Sequence, residues 1–245
     1  MSGSVNKLAA YRALVEERKA CRVCSKLTNP ADCPDGPYDS DQLGPWTLWQ
    51  GNLDSELMVV GQDWGNQAYF VTNRGRDLAE NPTNKTLQEL LKSIGVDIEK
   101  PTPQDSGGGN IFFTNAVLCL KQEGGMQGKT DQTWFKNCSL FLRRTIEIVR
   151  PKVIVTLGAR AYRVIADLYR LERPPFRSAV ERENGFELEA GIRLFPVYHC
   201  GARILNTHRP RDDQKRDWEK IRKALERGRA ARPVAEVENQ TNRIV

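Results

Sequence analysis

Three polar residues follow apolar runs directly, and each carries a group that can do chemistry. Asp63 comes just after "LMVVG", Asn115 follows "NIFFT", and His199 follows "LFPVY". A carboxylate can stabilise a developing cation and orient water, and an imidazole N–H can bond a developing anion. An amide is donor and acceptor at once, so it can read a paired carbonyl and N–H. Each residue also has a plainer use. Asp63 can cap a helix, Asn115 can satisfy buried backbone groups, and His199, one of only two histidines, can be structural. What favours a shared pocket is that all three fall at the ends of apolar runs that read as strands.

The elements around them alternate. "ELMVVG", "NIFFT" and "KVIVTLG" read as buried strands, and "GFELEAGIRLFPVYH" as two strands joined by a turn. Between them, "TNKTLQELLKSIGV", "DQTWFKNCSLFLRRTIEIVRP" and "ARAYRVIADLYRL" have apolar residues at helical spacing. "NKLAAYRALVEERKACRVC" reads as a first helix ending in a CxxC turn, and "RPRDDQKRDWEKIRKALERGRAA" as a charged last helix. Such alternation predicts an α/β fold: a single domain with a mostly parallel central sheet flanked by helices. In that architecture the working loops leave the carboxyl ends of the strands, where Asp63, Asn115 and His199 fall. The domain is expected over residues 1–228, including the cysteine-bearing N-terminal helix, with 229–245 as a flexible tail. "LTNPADCPDGPYDSDQLGPW" reads as an irregular loop.

The chain has 245 residues, 37 Lys and Arg against 31 Asp and Glu, and a net charge of +6. That balance favours a polyanionic partner. No run approaches a membrane span. The N-terminal stretch lacks the apolar core of a signal peptide, so a cytoplasmic, nucleoid-associated protein is expected.

Six cysteines remain: Cys21, Cys24, Cys33, Cys119, Cys138 and Cys200. Disulfides are not expected in the cytosol, which leaves metal, catalysis or burial. Cys21 and Cys24 have the gap of a metal-binding pair. Ligand spacing alone allows zinc or an iron–sulfur cluster.

Together "VVGQDWG", "FFTNAVLC" and "FPVYHCGAR" resemble, in order, the first active-site motif, the uracil-reading strand and the histidine motif of the uracil-DNA glycosylase superfamily. "RPKVIVTLGARAYRVI" resembles the strand and helix between the last two, and the likeness spans roughly Cys21 to Leu225. CxxC with "AVLC" and "NCSLFL" resembles the iron–sulfur branch. There are departures. That branch carries Glu-Ala-Pro-Gly where this chain has Gln62-Asp63-Trp64-Gly65. Gln-Asp resembles the cluster-free glycosylases, which carry a methyl-excluding tyrosine at the place of Gly65. The usual proline after the histidine is absent, since Cys200 follows His199.

The resemblance implies a uracil-DNA glycosylase-like α/β/α sandwich. It implies a DNA repair enzyme that flips deoxyuridine out of DNA, hydrolyses its N-glycosidic bond and releases free uracil; a monomer is expected, and a monofunctional one, since no lysine reads as a nucleophile. Asp63 and His199 are the implied catalytic residues, and Gln62, Asn115 and Phe70 the implied uracil contacts. Trp64 and Tyr69 are alternative stacking faces. Arg203, Ile204 or Leu205 is the implied wedge, with Arg209 and Arg211 on phosphates. Cys21, Cys24, Cys119 and Cys138 are the implied ligands of a 4Fe–4S cluster, in preference to zinc. Cys33 is the less favoured alternative to Cys24 as a ligand, and Cys200 reads as a small apolar filler. The turn "SGGGN" offers backbone amides to phosphates or is a plain connector. The competing readings are a glycosylase for another deaminated or damaged base, and a metal-stapled nucleic-acid-binding protein without catalysis.

Overall fold

The computed structural model describes residues 7–33, 53–75, 78, 80–96, 111–122 and 130–230. The chain runs α1 (Lys7–Ala20), β1 (Leu27–Thr28), β2 (Leu57–Gly61), α2 (Gln67–Thr72), α3 (Pro82–Ser93) and β3 (Ile111–Asn115). It continues through β4 (Leu120–Lys121), α4 (Gln132–Val149), β5 (Val153–Leu157), α5 (Ala159–Leu168), α6 (Phe176–Glu181) and β6 (Phe186–Glu187). It ends with β7 (Arg193–Val197), α7 (Ala202–Thr207) and α8 (Arg211–Ala230).

The main sheet has the order β3-β2-β5-β7-β6. β3, β2, β5 and β7 are parallel, and β6 joins antiparallel at the edge. Residue parity decides the layers. Met58, Val60, Phe112, Ile154 and Leu194 face a core shared with α1, α4 and α5. Leu57, Val59, Ile111, Val153, Val155 and Phe195 face a second core closed by α3 and α8. Both faces are covered, so the strands read as unbroken apolar runs rather than alternating ones.

Local chemistry sets the helix ends. Asp131 caps α4 by accepting the Thr133 N–H at 2.9 Å, and Arg150 stops it in the left-handed region just before Pro151. Asn81 caps α3 with Pro82 in its first turn, where a missing N–H costs nothing. Asn66 caps α2.

The α/β architecture matches the expectation, including the antiparallel pair at the β6 edge. Three short helices do not appear in the sequence reading: α2, α6 and α7, each of six residues. The implied wedge residues Arg203, Ile204 and Leu205 all lie on α7. A second sheet, β1 with β4, was also not foreseen. α8 runs to Ala230, just past the expected domain end. The "SGGGN" turn and residues 231–245 lie outside the described residues, as does most of the expected irregular loop. Among the described residues no helix is long and apolar enough to cross a membrane.

Candidate active site

β2 is flanked by β3 and β5, and its carboxyl end feeds the turn that carries Asp63. That turn holds the carboxylate from several sides. The Gly65 N–H donates to Oδ1 at 2.9 Å, and the Gln62 side-chain amide donates to Oδ2 at 2.6 Å. The Lys121 ammonium lies 3.2 Å from Oδ1 and 3.4 Å from Oδ2. The Asp63 and Lys121 side chains are 7% and 4% exposed. Gly65 has a φ of 91°, a conformation that L side chains adopt only with strain. It therefore makes the turn and adds no side chain there.

Asn115 ends β3 directly opposite Gly61 in the parallel register. Its side chain lies across that glycine: a Cβ on Gly61 would sit 2.0 Å from Asn115 Oδ1. Gly61 is thus the floor on which the amide rests.

His199 follows β7, the strand beyond β5. The Gly201 N–H donates to its Nδ1 at 3.1 Å. A neutral ring whose Nδ1 accepts must carry its proton on Nε2. Burial draws the imidazole pKa below the ordinary value of 6.5, and the Asp63 carboxylate opposes that shift. The ring keeps solvent-accessible surface although protein crowds it, as expected for a group facing an open recess. At neutral pH it is an uncharged Nε2–H donor. We expect the His199 NMR titration to fall below pH 6.5, and to fall further in Asp63→Asn, where the opposing anion is gone. A midpoint that rises in the variant would contradict the placement. The unfolded chain takes up this proton first as pH drops. His199 therefore costs no stability above 6.5 and a growing amount between 6.5 and its own lower value.

The surroundings buttress the histidine. Gln214, buried in α8, donates to the His199 and Arg209 carbonyls at 3.3 Å. Arg209 makes two hydrogen bonds to Asp217, at 2.9 and 2.7 Å, and its guanidinium lies 5.8 Å from the Tyr198 ring centroid. The structure gives Arg209 an internal partner, through which it braces the histidine segment against α8. Arg211 is likewise paired, with Glu89 at 2.7 Å. Arg203 is exposed on α7, while Ile204 and Leu205 are half-buried. The expected stacking face also changes. Phe70 is 0% exposed and packs with Cys33, Trp64 and Leu120, so in this conformation it is core and offers no face to a base. Tyr69 keeps accessible surface. Gln62, expected to touch uracil, spends its amide on Asp63.

Four cysteines meet elsewhere on the same edge. Cys21, Cys24, Cys119 and Cys138 border one cavity of about 260 Å³, together with Asn29 and Asn137. Asn29 fixes the end of α1 by donating to the carbonyls of Arg18, Lys19 and Cys21. The Asn137 amide donates to Cys24 Sγ at 3.3 Å. Burial pushes the Cys138 thiol up to about 12. It pushes Cys119 up further, with Cys138, Cys21 and Cys24 adding to the shift and the buried Arg18 cation opposing it. Cys33 does not border the cavity. Cys200 is buried in the α3–α8 core, where its Sγ meets the Thr83 carbonyl at 3.4 Å, and burial holds its thiol at about 12.

Residues 48–225, well over half of the chain, match the family profile described as the uracil DNA glycosylase superfamily. The chain belongs to that superfamily. It is similar to the type-5 uracil-DNA glycosylase of Pyrobaculum aerophilum, 26% identical over 201 residues, covering 76% of this chain and 84% of the relative. It is also similar to the type-4 uracil-DNA glycosylases of Archaeoglobus fulgidus and Thermotoga maritima. The first is 28% identical over 180 residues (70% of this chain, 77% of the relative). The second is 26% identical over 157 residues (64% and 70%).

In this uracil DNA glycosylase superfamily member, sequence reasoning missed Lys121. The residue sits on a two-residue strand with no periodicity to expose it. The available hint was position: it follows closely after Asn115 and Cys119, in a stretch already singled out. Gln214 was hidden in the charged face of the last helix.

Proposed function

We propose that the chain is a monofunctional uracil-DNA glycosylase. The observation that carries this reading is the set at the carboxyl edge of the sheet: a fixed carboxylate, an amide seated on a glycine, and an imidazole locked as an Nε2–H donor. Loss of the base leaves positive charge on the sugar and negative charge on uracil. Asp63 faces the first charge and orients water. The His199 Nε2–H bonds the uracil oxygen on which negative charge grows, without itself having to give up a proton. One such donor is typically worth roughly 10²–10³ in rate. Asn115 offers an acceptor to the uracil N–H and a donor to its carbonyl; cytosine presents the reverse pattern there. The net charge of +6 suits DNA as the partner. We read the enzyme as acting alone on DNA in the cytoplasm.

The four cysteines fit a 4Fe–4S cluster held by Cys21, Cys24, Cys119 and Cys138. A single tetrahedral zinc, with Zn–S near 2.3 Å, needs sulfurs within about 4 Å of one another. The four thiols border one cavity of about 260 Å³, which has room for more than a single ion. The buried Arg18 offsets part of the negative charge that thiolate ligands bring. When bound, the cluster ties the end of α1 to β4 and α4, and it takes no part in the hydrolysis. We expect purified protein to be brown, with iron and acid-labile sulfide in equal amounts, and Cys138→Ser to lose both and melt at a lower temperature. Zinc in place of iron would overturn the assignment.

The test of function is release of free base from a uracil-containing single-stranded oligonucleotide. Alkali-labile sites that appear with wild-type protein and vanish in His199→Ala support the reading. No release from folded, metal-loaded protein sinks it. Gly65 favours one second reading, activity on a base with a 5-substituent. An oligonucleotide panel with thymine mismatches and other damaged bases separates the two.

A further inference from the structure

Two of the donors to Asp63, Gln62 and Gly65, belong to its own turn and move with it. The third, Lys121, belongs to another strand. Its main chain holds the turn as its side chain holds the carboxylate: the Lys121 N–H donates to the Gly65 carbonyl at 3.1 Å, and its side chain meets both Asp63 oxygens. The strand is itself clamped. Lys121 lies two residues beyond Cys119, and its register partner on β1 is Leu27, three residues beyond Cys24. Two paths from the cysteine cavity therefore converge on this lysine.

We infer that Lys121 is a positioning residue that aims the Asp63 carboxylate at the sugar. The inference rests on the glycosylase reading above. Stability gives little reason to keep such a pair, because buried ion pairs are often matched or bettered by apolar replacements. Nor does the charge help directly, since an ammonium beside Asp63 weakens its field at the sugar. What the pair supplies is aim. A carboxylate held on both oxygens, from its own turn and from a neighbouring strand, cannot swing, and a misplacement of about 1 Å can cost on the order of 10²-fold in rate.

The test uses full-length, metal-loaded protein and single-turnover release of uracil. Lys121→Met is expected to lose roughly 10²-fold in rate, with DNA affinity within about threefold. Lys121→Arg is expected to regain at least about tenfold of that loss, because it restores the cross-strand donors. Adding Lys121→Met to Asp63→Asn is expected to slow release no further, as for groups that act as a unit. If Lys121→Met folds poorly, Lys121→Gln, which keeps a donor without the charge, replaces it and must fall between wild type and Asp63→Asn. A full rate in these variants, or a loss that persists undiminished in the Asp63→Asn background, overturns the inference. So does a borohydride-trapped DNA adduct that requires Lys121, since that marks a nucleophile. Absence of uracil release by the wild type would instead fault the glycosylase reading.

Discussion

Asp63→Asn is expected to lower single-turnover base release by on the order of 10³-fold or more while leaving DNA binding within a few-fold. The substitution is nearly isosteric. Asparagine keeps a carbonyl oxygen for the Gly65 N–H or the Lys121 ammonium, so the turn survives. What disappears is the negative charge set against the sugar as the glycosidic bond lengthens, which matters only in the transition state. Such a loss falls on the chemical step and not on substrate affinity. A second effect runs alongside. Removing one charge of a pair this buried typically costs about 3–5 kcal/mol, and the retained acceptor softens that here. The variant should therefore melt earlier than wild type yet remain folded and DNA-competent. Retention of more than a tenth of the wild-type rate by folded protein would remove Asp63 from the reaction.

Gly61→Ala is the second large effect, at a residue that touches no reacting atom. The added methyl would meet Asn115 Oδ1 at 2.0 Å, well inside any real contact. The strands cannot yield easily, because Gly61 and Asn115 are register partners and the Gly61 carbonyl accepts the Ala116 N–H at 2.9 Å. The amide must rotate away instead. Overpacking of this kind costs about 1–3 kcal/mol, which a domain of this size should survive. Release of uracil should fall roughly 10²-fold, as expected when a reading group is displaced by an ångström or more. Asn115→Ala should lose a similar amount, and the double variant no more than the worse single one, because both changes remove the same contact. A Gly61→Ala enzyme at wild-type rate would mean that the amide does not work from its perch on β3.

The three working strand ends were legible because each joins an unbroken apolar run to a polar residue, and a sheet covered on both faces produces that signature. The four cysteines were legible as a set through resemblance, and the structure gathers them around one cavity. Other features leave no such mark. The partner of Arg209 is Asp217, two turns along a helix whose other face is also charged, so nothing in the pattern separates a committed arginine from one open to DNA. Phe70 lies in a six-residue helix too short to display a period, and its burial depends on Cys33 and Leu120 arriving from other parts of the chain. Lys121 shows the limit most plainly. A lysine two residues after a cysteine reads as surface, and only the pairing of two two-residue strands brings it beneath the catalytic turn.

The order of strands also governs how the enzyme emerges from the ribosome. β2, β3 and β5, together with all four cavity cysteines, are made before β7 delivers His199, and α8, which covers the second core, comes last. The cavity cysteines, Asp63 and Asn115 are thus all synthesised before His199. The Leu91, Val155 and Leu157 face cannot close until α8 brings Trp218 and Ile221 onto it. A chain that lacks α8 consequently leaves this apolar face uncovered.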